Sequence, residues 1–254
     1  MTERHPPLRS YGRTKARTLK PRQEALLETL LPRLAIPAGP IDLDALFKRP
    51  SPLAGEGREG GASADLADES AKTSSWAGGV ALEIGFGGGE HLVAQAAAHP
   101  DMRFIGVEPF VNGVASCLRH IEESGVANVR LHQGDARDIL PRLPDASLNL
   151  VYVLFPDPWP KARHHKRRLI QPGFIADLAR VLAPGGEVRF ATDWRDYAAW
   201  AIELFLKNAA FAWTAERAED WRRPWPGHVA TRYEKKRLGD CSPVYLRFSR
   251  VNLA

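Results

Sequence analysis

Cysteine is scarce: Cys117 and Cys241 are the only two in 254 residues. Two thiols cannot build a disulfide framework, and neither has the neighbours of a metal-ligand set, so no metal is expected and a reducing cytoplasm is the expected compartment. Long apolar runs are missing as well. None approaches the ~18 residues that a membrane-spanning helix needs, and no apolar stretch follows the charged N-terminus as in a secretory signal. Internal repeats are absent. From 48 to 75 the chain is poor in branched and aromatic side chains (SPLAGEGREGGASADLADESAKTSS), which marks a low-complexity insertion unable to pack and expected to be disordered.

What is present suits a soluble globular domain with appendages: 44% apolar residues, 26% charged residues and a net charge of +5. The charge is uneven. Residues 1–24 hold seven Lys/Arg against Glu3 and Glu24, an arm that serves either as a nucleic-acid contact or as a solubilising tail. A short helix over Gln23–Leu34, ended by Pro37, completes an N-terminal unit of residues 1–47. The insertion occupies 48–75, and the ordered domain runs from 76 to 254.

Inside that domain strands and helices alternate. Val80–Ile84, Arg103–Val107, Asn128–His132, Ser147–Leu154 and Glu187–Ala191 read as short strands. Helices are predicted over Glu90–Ala98, Val111–Ser124, Pro172–Leu182 (stopped by Pro184-Gly185-Gly186) and Tyr197–Asn208. Phe211–Thr214 and Val244–Phe248 read as a closing antiparallel hairpin with a long excursion between its strands. The pattern predicts an α/β fold, a mostly parallel sheet with helices on both faces and ligands beyond the C-terminal strand ends.

The first strand runs into Glu83-Ile84-Gly85-Phe86-Gly87-Gly88-Gly89. Glycines at 85, 87 and 89 let the backbone turn tightly and a ligand lie against it. The third glycine comes one residue early for a dinucleotide fingerprint, and Glu90 stands where that fingerprint has glycine. A carboxylate at Glu83 would repel a pyrophosphate but suits the ammonium of a methionyl group, so S-adenosyl-L-methionine fits better than a dinucleotide. Glu108, after the second strand, is placed to accept ribose hydroxyls, and Asp135, after the third, to accept from the amine of adenine. Each acid alone is equally well read as a helix cap. Together they follow the order that a class I methyltransferase would use.

The most specific stretch is Leu154–Gln171, LFPDPWPKARHHKRRLIQ. Asp157 sits between prolines that restrict the turn and keep the carboxylate aimed, with Trp159 beside it to hold a flat heterocycle. If the acceptor is guanine N7, no proton must be removed, and Asp157 would stabilise the cationic purine as it forms. The next residues carry Lys161, Arg163, Lys166, Arg167 and Arg168 with His164 and His165 and no acid, which suits a phosphate backbone better than an ordinary solvated face. Downstream, Asp193 follows the fifth strand and is expected in the same cleft. Thr231-Arg232-Tyr233-Glu234 combines groups able to read a guanine edge and hold a phosphate. The residues alone leave open N7 methylation, methylation of an exocyclic base amine, and a non-catalytic RNA-binding protein of the same fold.

LEIGFGGGEHL, FPDPWPKARHHKRR, ATDW and TRYEKKR together resemble the TrmB-type tRNA (guanine-N7)-methyltransferases, over the stretch from about Leu82 to the C-terminus. Pro160 departs from relatives with histidine there, Arg232-Tyr233 from the commoner Lys-Phe, and the insertion has no counterpart. The resemblance implies a seven-stranded class I (Rossmann-like) methyltransferase that uses S-adenosyl-L-methionine to methylate N7 of the variable-loop guanosine, position 46, of tRNA. It places the cofactor on Glu83, Glu108, Asp135 and Asp157, makes Asp157 the catalytic residue, and assigns substrate contact to Lys161, Asp193 and Thr231–Glu234. It makes Arg163–Arg168 the RNA-interaction segment. The expected state is a monomer or weak homodimer.

Overall fold

Every residue of the first predicted strand is buried, which requires a sheet covered on both faces. The computed structural model describes residues 18–48 and 76–252. In them β1 (Val80–Ile84), β2 (Arg103–Val107), β3 (Val129–His132), β4 (Leu148–Leu154), β5 (Leu182–Thr192), β6 (Phe211–Trp213) and β7 (Val244–Arg250) form one seven-stranded sheet, ordered β3-β2-β1-β4-β5-β7-β6. The first five strands pair in parallel, and β7 runs antiparallel between β5 and β6.

Alternation along β1 sends Val80, Leu82 and Ile84 into one core layer with Phe174, Leu178, Tyr197 and Phe205, and Ala81 into the other with Leu92, Cys117, Leu118 and Ile121. Helices Pro172–Val181 and Arg195–Leu206 cover the first face; Glu90–Ala98 and Val111–Ser124 cover the second. The strand order reverses between β1 and β4, which leaves a crevice beyond their C-terminal ends. Glu83, Glu108, Asp135, Asp157 and Asp193 all lie at or just past such ends.

Several boundaries differ from the sequence expectation for local reasons. The N-terminal helix starts earlier, at Pro21, where the missing proline N–H costs nothing, and divides into Pro21–Thr29 and Leu31–Leu34. Helix Leu43–Lys48 carries no predicted signal; Arg130 Nε donates to the Leu46 carbonyl at 3.1 Å and Arg103 pairs with Asp44 at 2.8 Å. With the bridge of Ala35 to Leu131, this segment covers the β3 edge. Pro184-Gly185-Gly186 does not stop the helix, which already ends at Val181. These residues bulge out of β5 instead: Leu148 pairs with Leu182, yet Leu150 pairs with Glu187. The helix expected over Tyr197–Asn208 begins at Arg195, whose N–H is met by Asp240 at 2.8 Å. Residues 1–17 of the basic arm and 49–75 of the insertion lie outside the described residues.

The turn after β1 depends on glycine. Gly89 opens its helix at φ +81°, and a Cβ there would stand 2.6 Å from the Cys117 Cβ, whereas a Cβ on Gly85, at φ +75°, meets nothing within 4 Å. Gly85→Ala is therefore expected to cost only left-handed strain, about 1–2 kcal/mol, and Gly89→Ala that strain plus overpacking, about 2–5 kcal/mol. Urea denaturation midpoints check the ranking. Equal losses would remove the Cys117 contact as the cause.

Candidate active site

The glycine loop organises two of the acids. Gly87 N–H donates to Glu108 Oε2 and Phe110 N–H to Glu108 Oε1, both at 2.8 Å. Burial raises the pKa of Glu108, and the amide bonds, which act in the opposite sense, do not cancel it. Glu83 does not face the cleft. It is 2% exposed and bonded to Nδ1 of the buried His91 at 2.7 Å, so its carboxylate braces the loop from beneath.

Asp135 caps the short helix Ala136–Ile139: its Oδ1 accepts from Arg137 N at 2.9 Å and Arg137 Nε at 2.7 Å. Burial acts to raise its pKa, but Arg137 outweighs it and holds the carboxyl below the usual aspartate range. The residue lines the cleft all the same, and the capping role is filled.

Asp157 stands on a strained turn. Phe155 at φ +50° and Trp159 at φ +43° are non-glycine residues in the left-handed region on either side of it, a conformation that persists only where surrounding bonds over-determine it. Phe155 N–H donates to the Ala191 carbonyl at 2.7 Å, and Arg168 Nε to the Pro158 carbonyl at 2.9 Å. Asp157 opens on a cleft of about 540 Å³ whose walls include Gly85, Glu108, Asp135, Trp159 and Arg167. Those walls partly dry its carboxyl and raise its pKa.

The basic segment forms a 3-10 helix, Ala162–Arg167, after Lys161. Three residues per turn put i and i+3 on one face, and the side chains sort accordingly. Arg163 and Lys166 are exposed, as is Lys161. His164 meets the Trp159 ring edge-on at 6.0 Å and Arg167 lies over that ring at 5.1 Å. His165 meets Trp200 at 5.5 Å and lies 3.4 Å from Asp196; Arg168 lies over Trp200 at 5.3 Å and pairs with the same Asp196. The predicted phosphate contact at Arg168 is thus corrected: the residue is 1% exposed, and a guanidinium packed between aromatic rings cannot reach a polynucleotide. Loss of hydration, then the charges of Arg167, Arg163, Lys161 and Lys166, lowers the pKa of His164.

The downstream pair converges only in part. Asp193 is 2% exposed and does not line the cleft; its Oδ2 accepts from Gly239 N–H at 2.7 Å, and its Oδ1 has no hydrogen-bond partner. Thr231-Arg232-Tyr233-Glu234 is closed by a reciprocal pair of bonds, Glu234 N–H on Thr231 Oγ1 at 3.1 Å and Thr231 N–H on Glu234 Oε2 at 3.2 Å. Arg232 pairs with Glu90 beside the glycine loop, and the Tyr233 ring lies 5.7 Å from Phe155. The loop therefore touches both the glycine turn and the Asp157 turn. Glu234 also accepts from His228 Nε2 at 2.8 Å and from the Tyr245 hydroxyl. Burial acts to raise its pKa, but these bonds prevail and lower it. His91 and His228, with ring centroids 5.7 Å apart, carried no sequence signal, because each meets its glutamate through the fold.

A family model described as "Putative methyltransferase" matches residues 78–245. The chain is 52% identical to the tRNA (guanine-N(7)-)-methyltransferase of Caulobacter sp. (strain K31), over 97% of each chain. It is 45% identical to that of Hyphomonas neptunium, over 95% of this chain and 99% of the other. A solved structure of a "putative rRNA-methylase" from Clostridium thermocellum aligns with a TM-score of 0.50 at 11% identity, over 76% of this chain and 99% of that one; it speaks for the fold alone.

A carboxyl whose folded pKa is raised destabilises the fold while ionised; the penalty is present at neutral pH and vanishes as pH falls below the unfolded value. Asp157→Asn is therefore expected to raise the thermal midpoint at neutral pH, with the gain shrinking on acidification. A lower midpoint than the parent's at neutral pH would mean that the carboxylate is stabilised after all.

Proposed function

This chain belongs to the tRNA (guanine-N7)-methyltransferase family, and on that footing we propose that it transfers a methyl group from S-adenosyl-L-methionine to N7 of the variable-loop guanosine, position 46, of tRNA. The observation that carries the reading is Asp157: a partly dried carboxylate on a strained, proline-flanked turn, facing a cleft between the glycine loop and a basic segment.

The residues fit such a donor. The cleft, about 540 Å³, falls in the range of roughly 300–1,000 Å³ usual for small-molecule sites. Glu108 uses one lone pair on each oxygen for backbone amides, which leaves acceptor capacity for ribose hydroxyls. Asp135 takes the adenine side, and Glu83 with His91 braces the loop. When bound, S-adenosyl-L-methionine supplies an electrophilic methyl group on a sulfonium.

Asp157 orients the purine and holds negative charge where N7 methylation makes the ring cationic. No general base is needed, because N7 already presents an in-plane lone pair. Lys161, Arg163, His164, Lys166 and Arg167 form the tRNA-facing side, with Arg163 and Lys166 as the phosphate contacts, while His165 packs on Trp200 beside Asp196. Thr231–Glu234 hold the substrate end of the site, while the buried Asp193 holds the Gly239 backbone. Glu234 spends three acceptor positions on His228, Thr231 and Tyr245, which leaves about one of its four lone pairs for a guanine edge. The protein works in the cytoplasm on tRNA without a metal; no helix among the described residues is long and apolar enough to cross a membrane.

Incubation with labelled S-adenosyl-L-methionine and unmodified tRNA, then chain cleavage selective for N7-methylguanosine, tests the reading. Label at the variable loop is expected; label on an exocyclic amine would overturn it. Asp157→Ala should reduce transfer by about 10²–10³-fold, as loss of one transition-state stabiliser does, with tRNA affinity nearly unchanged. Arg163→Ala with Lys166→Ala should weaken tRNA binding and flatten the slope of log affinity against log salt by roughly 1–2, at ~0.7–0.9 per phosphate contact. An unchanged slope would place the phosphate grip elsewhere.

A further inference from the structure

We infer that Arg168 is a positioning residue for Asp157, a buried brace under the catalytic turn that takes no part in holding phosphate. The inference rests on the reading of Asp157 given above. Arg168 Nε donates to the Pro158 carbonyl at 2.9 Å, the peptide oxygen between Pro158 and Trp159. The orientation of that peptide plane is set by ψ of Pro158 and φ of Trp159, and φ of Trp159 is the strained +43°. A donor on this carbonyl therefore holds the strained torsion and, one residue back, the direction of Asp157.

The brace is itself fixed. Its guanidinium lies over Tyr197 at 4.9 Å and Trp200 at 5.3 Å, and its Nη2 pairs with Asp196; all three come from helix Arg195–Leu206. The same helix grips the next turn of chain: Ile170 N–H donates to the Tyr197 hydroxyl at 3.3 Å, and Trp200 Nε1 donates to the Ile170 carbonyl at 2.8 Å. Arginine suits this place because its planar fork reaches a carbonyl and a carboxylate at once while stacking on rings; lysine offers one point charge. Arg167, one residue earlier, points to the cleft, so neighbouring arginines hold opposite offices.

The test compares Arg168→Met, Arg168→Lys, Asp196→Asn and Asp157→Ala for kcat and KM at saturating donor, tRNA affinity against salt, donor affinity and thermal midpoint. Arg168→Met is expected to lower kcat by about 10–100-fold, the scale of a roughly 1 Å misplacement, with tRNA affinity and its salt slope unchanged. Arg168→Lys should recover part of that loss, and Asp196→Asn should show a smaller loss of the same kind. If Arg168→Met does not fold, the lysine and asparagine variants decide by the same split. Weakened, salt-flattened tRNA binding with kcat intact would return Arg168 to the phosphate contacts and overturn the inference. Unchanged kcat in the Arg168 and Asp196 variants alongside an inactive Asp157→Ala would also overturn it while leaving the reading of Asp157 standing. An active Asp157→Ala would remove that reading itself.

Discussion

Carboxylates crowd one end of this sheet, and the structure around them is organised by how each is held there. Glu83, Glu108 and Asp157 stand at the ends of β1, β2 and β4, neighbours in the sheet, and the charges of Asp157 and Glu83 add to the burial that raises the pKa of Glu108. Glu83 is given a buried histidine and Glu108 two backbone amides. Asp157 has neither, and drying alone sets its pKa. A protein built only for stability would have partnered or removed it. The uncompensated acid is the one that a developing positive charge would satisfy, which is why the electrostatics point to Asp157 ahead of the other two.

Geometry reinforces this. Two left-handed residues bracket Asp157, and relaxation of either would swing the carboxylate away. The turn is held through Phe155 by the β5 backbone, through Pro158 by Arg168, and against Tyr233 by ring packing. Tyr233 belongs to the loop that also reaches the glycine turn through Arg232 and Glu90 and fastens to helix Glu90–Ala98 through Gln95 and the Gly227 carbonyl at 2.7 Å. The glycine turn, the Asp157 turn and the loop that carries Tyr233 are thus one connected body.

Much of this was legible in the chain. The strand-helix alternation set β1, β2 and the helices Glu90–Ala98 and Val111–Ser124 at their observed bounds, because buried parallel strands write continuous apolar runs and amphipathic helices a period near 3.6. The five acids lie at strand ends, as the alternation predicts, and three of them, Glu108, Asp135 and Asp157, line the cleft. The distant partners of the buried and cleft-side acids, Glu83, Asp196 and Glu234 among them, were not legible. His91 lies 8 residues from Glu83, but Arg168 lies 28 residues from Asp196 and Tyr245 reaches Glu234 across 11, and no local pattern announces which side chain a fold will bring to a given carboxylate. Helix Leu43–Lys48 carries no signal for a related reason: six residues hold too little period, and it is tied down by Arg103 of β2 and Arg130 of the edge strand β3.

The basic segment shows how composition can mislead while pointing correctly. Its lack of acids suits a phosphate backbone, but the acid that partners it, Asp196, comes from a distant helix. The 3-10 period then divides the six residues 163–168 into three pairs, one outward, one on Trp159, one on Trp200 and Asp196. An α-helix, at 3.6 residues per turn, would offset the two members of each pair by about 60°, where the 3-10 helix eclipses them. The short, tight helix therefore lets consecutive cations serve solvent, cleft and core. The charge at the cleft, Arg167, and the charge beneath the Asp157 turn, Arg168, are adjacent in sequence because this helix turns a full third of a circle between them.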